Sequence, residues 1–272
     1  MSELQKRVAT GFVGALILLL LIIQGGRIGI SILSVAVSLL CLQEYLDMVL
    51  GLPDADEKKR VALGGTWLVA FANFWMPRAE FELLVLTFCG MFGYFLFVST
   101  RYDAERFREH FMELVLLVFG MAYLAFLPLY FPLLHDGASG VHWTIVFLLT
   151  VWSGDTGAYF VGMKYGRRKL FPSISPKKTW EGAYGGVAAS VVVCFLYKLI
   201  FFRGMSWASV IFVPVLVGAA SQVGDLCESF LKRAFNRKDS GDRLPGHGGF
   251  LDRFDGVLLS LPVMYACIRI LG

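Results

Sequence analysis

Apolar runs long enough to cross a lipid bilayer recur along nearly the whole of this chain. A helix needs about 20 such residues to cross a hydrocarbon core roughly 30 Å thick. Nine segments qualify, at about 8–25, 28–50, 61–77, 81–100, 111–134, 141–163, 180–202, 207–227 and 255–271. The composition agrees: 57% of residues are hydrophobic and 17% charged, against roughly 45–50% and about 25% in a soluble domain. The expected fold class is an all-α polytopic membrane protein of nine transmembrane helices. Short connections, with no repeat and no low-complexity linker, imply one domain over residues 1–272. Within it, 1–134 holds helices one to five, and 141–272 holds helices six to nine with loops at 164–179 and 228–254.

Orientation follows from where the cations fall, because loops left in the cytoplasm are enriched in Lys and Arg. The N-terminus and the loops after segments two, four, six and eight carry 20 of the 25 Lys and Arg residues. The other side carries five: Arg27, Arg78, Lys198, Arg203 and Arg269. This predicts a cytoplasmic N-terminus, a C-terminus on the opposite side, and cytoplasmic loops at 164–179 and 228–254. Lys6 and Arg7 before an apolar run have the outline of a signal peptide. The run is long, lacks a small-x-small cleavage site and leads straight into a second segment, so it reads as an uncleaved first helix. Gly11, Gly14 and Ala15 allow that helix close contacts. The five cysteines (Cys41, Cys89, Cys194, Cys227, Cys267) stand singly and read as small core residues. Glu44 and Asp47 fall near the cytoplasmic end of segment two, where carboxylates reach water.

Three polar clusters interrupt this apolar background. Asp155 and Tyr159 are four apart in segment six and share a helix face. At 1.5 Å per residue, Asp155 lies about 13 Å from Lys164 at the segment's end, and an ionisable group at that depth is costly unless it is used. The second cluster, from Lys164 to Gly182, includes Ser175, Pro176, Lys177, Lys178, Thr179 and Glu181. Ser175 followed by Pro176 resembles an N-cap with proline in the first turn, and Thr179 is a second candidate cap. Either way lysines and free N–H groups gather at the start of segment seven, where a helix binds phosphate. The third cluster, Ser221, Asp225, Glu228, Ser229 and Lys232, occupies one face of segment eight. That face leads into residues 229–256, SFLKRAFNRKDSGDRLPGHGGFLDRFDG, where six Lys/Arg and four Asp crowd around glycines and His247.

Few carboxylates among many cations suit Mg²⁺, which keeps waters and shares its shell with substrate phosphates. Such a site fits phosphoryl or nucleotidyl transfer, in which positioning and charge neutralisation supply most of the catalysis. No GxxxxGK[ST] loop and no GxGxxG turn is present, so no soluble nucleotide-binding module is fused here.

Residues 229–255 resemble the signature of the phosphatidate cytidylyltransferase (CDP-diacylglycerol synthase) family, bacterial type. The matching positions are Ser229, Lys232, Arg233, Lys238, Asp239, Pro245, His247, Gly248, Gly249, Asp252, Arg253 and Asp255. Upstream, Asp155, Ala158, Tyr159, Phe160 and Gly162, then Ser175-Pro176-Lys177-Lys178-Thr179-x-Glu181-Gly182, also fit the family pattern. The resemblance implies that CTP and phosphatidate give CDP-diacylglycerol and pyrophosphate with Mg²⁺, by attack of the lipid phosphate on the CTP α-phosphate. A second, monovalent cation such as K⁺ is left open. It further implies Asp225 and Asp252 as metal ligands with Asp255 third, and Asp225, Asp252, Asp255, Lys232, Lys238, Asp239 and His247 as the catalytic set. Ser175, Lys177, Lys178, Thr179, Glu181, Ser229, Arg233, Gly248, Gly249, Arg253, Asp155 and Tyr159 are the implied substrate-binding residues. A homodimer in the bacterial cytoplasmic membrane, with its active site facing the cytoplasm and no nucleic-acid partner, completes the expectation.

Three rivals remain in view. An ion-coupled transporter would place acids near the midplane of inverted repeats, whereas the charges here collect on one side. A membrane enzyme using CTP on another lipid, such as a polyprenol kinase, fits the signature less fully. A CDP-alcohol phosphatidyltransferase would need a DG-x-x-AR run that is not present.

Overall fold

The computed structural model of the protein describes residues 14, 16–50, 55–75, 80–101, 103–137, 139–243 and 248–271. It is mainly helical. After α1 (residues 16–23) come α2 (Gly26–Val49), α3 (Ala55–Trp75), α4 (Glu80–Ser99) and α5 (Phe107–Gly120). A π turn (Met121–Phe126) and a 3-10 turn (Leu127–Leu129) carry α5 into the short α6 (Tyr130–His135). Then follow α7 (Gly140–Tyr165), strands β1 (Lys169–Phe171) and β2 (Ser175–Thr179), α8 (Trp180–Ile200), α9 (Trp207–Ala234) and α10 (Leu251–Leu271).

Among the described residues, seven helices are long and apolar enough to cross a membrane. They include seven of the nine expected segments. The first segment is described only in part, at residues 14 and 16–25, of which 16–23 are helical. The third differs for a physical reason: Asp56, Glu57, Lys58, Lys59 and Arg60 follow Ala55 in the opening turns of α3, so its uncharged run is confined to residues 61–75. The apolar surface of the bundle faces outward, as on Ile17, Phe97, Phe160 and Ile200. A lipid solvent permits this arrangement and water would oppose it.

Two kinds of contact hold the helices. Between α7 and α8 the chain removes side chains. A Cβ on Gly157 would lie 2.5 Å from the Ala189 Cβ, and one on Gly186 would lie 2.6 Å from the Gly154 carbonyl. Small residues at four-residue spacing let two backbones approach where lipid supplies no hydrophobic drive between helices. Ser190 Oγ donates across this contact to the Thr150 carbonyl at 2.7 Å. Between α2 and the α5–α6 break, hydroxyl groups do the work. Pro132 has no N–H to give the Pro128 carbonyl one turn earlier, and Ser34 Oγ donates to that oxygen at 2.5 Å. Ser38 Oγ and Tyr45 Oη likewise reach the carbonyls of Ala125 and Leu116.

The bundle has two chemically different ends. At one, Asp47 binds both Lys59 (2.9 Å) and Arg243 (3.2 Å), joining α2, α3 and the segment between α9 and α10. At the other, Arg27 pairs with Asp136, and Ser209 Oγ donates to the Leu271 carbonyl. Four of the five cysteines are buried or half-buried; Cys89 is exposed on α4.

Candidate active site

Three elements bring polar groups to one cavity at the Asp47 end. Its volume is about 470 Å³, and Asp155 and Tyr159 of α7, Lys177 and Lys178 of β2, and Gln222 and Asp225 of α9 line it. The local sequence explains the wall. Thr179 caps α8 by accepting from Gly182 N at 3.2 Å. Of the two caps left open by the sequence, Thr179 is therefore the one used, and Ser175-Pro176 lies on β2. The lysines accordingly precede the helix on a strand and do not sit in its first turn. The hairpin pairs Lys169 with Thr179 and Phe171 with Ser175, so the purely helical expectation misses these two short strands. Glu181 Oε2 accepts from the backbone N–H of Arg167 (3.0 Å) and Arg168 (3.1 Å). It secures the chain leading into the hairpin and does not line the cavity. Arg233 donates through Nε to the Ile174 carbonyl at 3.4 Å, tying the hairpin turn to α9.

Within the cavity Lys178 Nζ stands 2.5 Å from Asp225 Oδ2, and Ser229 Oγ lies 3.4 Å from Asp225 Oδ1. Asp255 Oδ1 accepts from Gly256 N at 2.6 Å. The charges of Asp155, Asp225, Asp255 and Lys178 act on one another. Gly224 and Gly256 bring α9 and α10 together beside these acids. A Cβ on Gly224 would strike the Asp255 carbonyl, and one on Gly256 would lie 2.5 Å from Ser221 Oγ.

A second charged cluster adjoins the first. Lys232 Nζ reaches Glu228 Oε2 at 2.5 Å and Asp252 Oδ1 at 2.6 Å. Asp252 Oδ2 accepts from Ser240 N, Ser240 Oγ and Gly249 N, each at 3.0 Å. Gly248 has φ +79°, which glycine adopts at little cost, and a Cβ there would come 3.2 Å from Asp252 Oδ2.

The helices reach further into the polar region than the sequence implied. α9 runs to Ala234 and α10 begins at Leu251. Ser229, Lys232 and Arg233 are thus on α9, and Asp252 and Asp255 lie in the first turns of α10, so the connection is shorter than 228–254. Lys238 and Asp239 stand exposed on it. His247 lies outside the described residues. Arg253 does not join the cavity of Asp225; it lines a separate, mainly apolar cavity of about 440 Å³ with Ile17, Trp152 and Phe254.

The donor chemistry suits a hard cation, since carboxylate oxygens are what Mg²⁺ takes. Among the described residues, no three or more His, Cys, Asp or Glu side chains are arranged to hold a metal ion. Asp225 has a lysine ammonium where a cation would go, while both oxygens of Asp252 are engaged by Lys232, Ser240 and Gly249. One or two carboxylates completed by waters and phosphate oxygens is the usual Mg²⁺ arrangement, and the residues present fit it.

Glu44 corrects one expectation. It does not reach water: it is 1% exposed, and its carboxylate accepts from Ser240 Oγ, Phe250 N and Leu251 N, each at 3.0 Å. Sequence reasoning also passed over Ser240. Nothing in the spacing of either residue announces a contact across 196 positions.

Comparison with known proteins bears on all of this. The model of the cytidylyltransferase family matches residues 5–271. A phosphatidate cytidylyltransferase of Bacillus subtilis (strain 168) is 31% identical over 278 residues, covering 97% of each chain. One from Brucella suis biovar 1 is 35% identical over 269 residues, covering 97% of this chain and 93% of its own. One from Staphylococcus haemolyticus is 30% identical over 265 residues, 96% of this chain and 97% of its own.

Proposed function

The chain belongs to the cytidylyltransferase family, and from that membership and the charged cavity we propose that it makes CDP-diacylglycerol. In this reading a phosphatidate oxygen attacks the α-phosphorus of CTP. A new P–O bond forms, the bond from the α-phosphorus to the bridging α–β oxygen breaks, and pyrophosphate leaves with that electron pair. The attacking phosphate has a second pKa near 6 and is largely ionised at neutral pH, so no strong general base is required. The protein's task is to let one polyanion approach another.

The observation that carries the proposal is the pairing of Lys178 with Asp225 inside a cavity also lined by Asp155 and Lys177. Its volume of about 470 Å³ lies within the range usual for small-molecule sites. Lys177 and Lys178, on a strand fixed at both ends, hold phosphate oxygens. Lys232, Arg233 and Lys238 extend that positive surface, Arg253 lines the separate apolar cavity beside it, and His247-Gly248-Gly249 lets backbone N–H groups approach the triphosphate. Asp225 and Asp252, with Asp255 third, are the carboxylates that would hold Mg²⁺, with Lys232 kept beside Asp252. When bound, the ion would neutralise charge on the phosphates and on the departing pyrophosphate. Asp155 orients Lys178 from the far wall. A monovalent cation such as K⁺ is a further candidate for the same acids. The protein works in a bacterial cytoplasmic membrane as a homodimer, with the Lys/Arg-rich end and its cavity facing the cytoplasm.

Pyrophosphate release by purified protein in detergent tests the proposal. Release should require phosphatidate, CTP and Mg²⁺ together, stop with EDTA, and fail with ATP or with diacylglycerol. Transfer to an alcohol lipid in place of phosphatidate would point to a lipid kinase, and no turnover with any lipid would reject cytidylyl transfer.

A further inference from the structure

Glu44 belongs to none of the motifs that point to the reaction, and it lies in the half of the chain where no motif was found. Its surroundings are unusual for a glutamate. The carboxylate is buried, and each of its oxygens is held by the segment between α9 and α10. Oε1 accepts from Phe250 N and Oε2 from Leu251 N, the donors that open α10. The first N–H groups of a helix have no partner within it, and a negative charge there is favoured by the helix dipole. This cap comes from a different helix, nearly the whole chain away.

The same carboxylate is linked to Asp252 through one hydroxyl. Ser240 Oγ lies 3.0 Å from Glu44 Oε2 and 3.0 Å from Asp252 Oδ2. A hydroxyl has a single proton to give, so the two acids compete for it, and Ser240 N and Gly249 N hold Asp252 from the backbone. Asp252 in turn fixes Lys232. Two glycines make the arrangement sterically possible. A Cβ on Gly241 would meet Glu44 Oε1 at 2.9 Å, and one on Gly249 would run into both Glu44 Oε2 and Ser240 Oγ. Beside Glu44, Arg243 reaches Gln43 Oε1 at 2.8 Å and Asp47 Oδ2 at 3.2 Å, so the last turn of α2 grips the segment at further points.

We propose that Glu44 is a positioning residue: it sets the segment between α9 and α10 and, through Ser240, aims Asp252 and Lys232 at the substrates. This deepens the reaction proposed above and rests on it. Glu44 touches no substrate; its effect passes through Ser240 and the start of α10.

The test compares Glu44→Ala, Glu44→Gln and Ser240→Ala with the native protein, all full length in detergent. CDP-diacylglycerol formation gives kcat and KM, thermal unfolding gives the folded fraction, and hydrogen exchange reports on residues 238–251. Glu44→Ala should lower kcat roughly 10–100-fold, the loss common when a group supporting a ligand is removed, with KM for CTP unchanged. Glu44→Gln, which keeps one oxygen acceptor and the same volume, should recover part of the loss and serves alone if the alanine variant does not fold. Exchange at Phe250 and Leu251 should quicken. Combining Glu44→Ala with Ser240→Ala should cost no more than the worse single change, because both cut one chain of contacts. Unchanged turnover per folded molecule, or losses that multiply, would overturn the inference. So would unchanged exchange at 250 and 251. That last readout needs no activity, so it separates failure of this inference from failure of the proposed reaction.

Discussion

Lys178 and Lys232 each meet an aspartate at the same end of the bundle, yet the two pairs sit in opposite settings. The Lys178–Asp225 pair joins a strand to a helix across an open cavity, with side-chain exposures of 26% and 34%. Lys232 is sealed between Glu228, at 0%, and Asp252, at 10%, on neighbouring helices. Water reaches the Asp225 side of the first pair, although the Lys178 nitrogen itself is shielded, so Asp225 can exchange its partner for a metal ion at small cost. Water cannot replace the partners of the second, where an acid left alone would keep a charge in a low dielectric. The first pair can exchange partners with the substrates, and the second keeps Asp252 and Lys232 in fixed register for them. Charge content alone would not have distinguished them.

The comparison breaks most readily at Lys232. Lys232→Met leaves Glu228 and Asp252 without their cation and should destabilise the protein by about 3–5 kcal/mol, read as a lowered unfolding midpoint in detergent. A loss no larger than that of Lys178→Met would remove the distinction. Asp225→Asn sharpens it from the other side. Turnover should fall roughly 10²–10³-fold, the usual cost of deleting one preorganised charged contact, while the unfolding midpoint holds. The open pair also depends on its walls: Gly157→Leu should cost about 1–3 kcal/mol by overpacking the α7–α8 contact. Gly90→Leu on α4, where a Cβ meets nothing within 4 Å, should be neutral in the same unfolding assay. Among the changes at the two pairs the smallest loss is that of Lys178→Met, which should change stability by no more than about 1 kcal/mol, whatever it does to turnover.

Much of this was legible in the sequence, for identifiable reasons. Membrane helices announce themselves because lipid demands long apolar runs, Asp155 and Asp225 stood out because charge in such runs is costly, and Lys178 because lysines gather before a helix start. The α7–α8 contact was not read, although Gly154, Ala158 and Gly162, then Gly182, Gly186 and Ser190, repeat every four residues. That spacing was available and only needed to be read as a packing surface. The hairpin was hidden because Ser-Pro serves a helix start and a strand start equally well, and only Thr179's bond to Gly182 decides between them. Glu44 was not legible at all. An acid near a helix end looks alike whether it faces water or a distant backbone, and no local pattern encodes which of these tertiary contacts will form.

The distance along the chain between Glu44 and Ser240, 196 residues, has a consequence for how the protein is made. Synthesis proceeds at about 5–20 residues per second, so α2 leaves the ribosome roughly 10–40 s before its partner exists. Through that interval the Glu44 carboxylate has no donor from the segment it will finally hold. The last helix then arrives at a surface already waiting for it, and its docking is the step at which the site becomes whole. A nascent chain arrested before Leu251 would contain every helix of the cavity wall, and Glu44 as well, and still lack Asp252 and the helix that Glu44 caps.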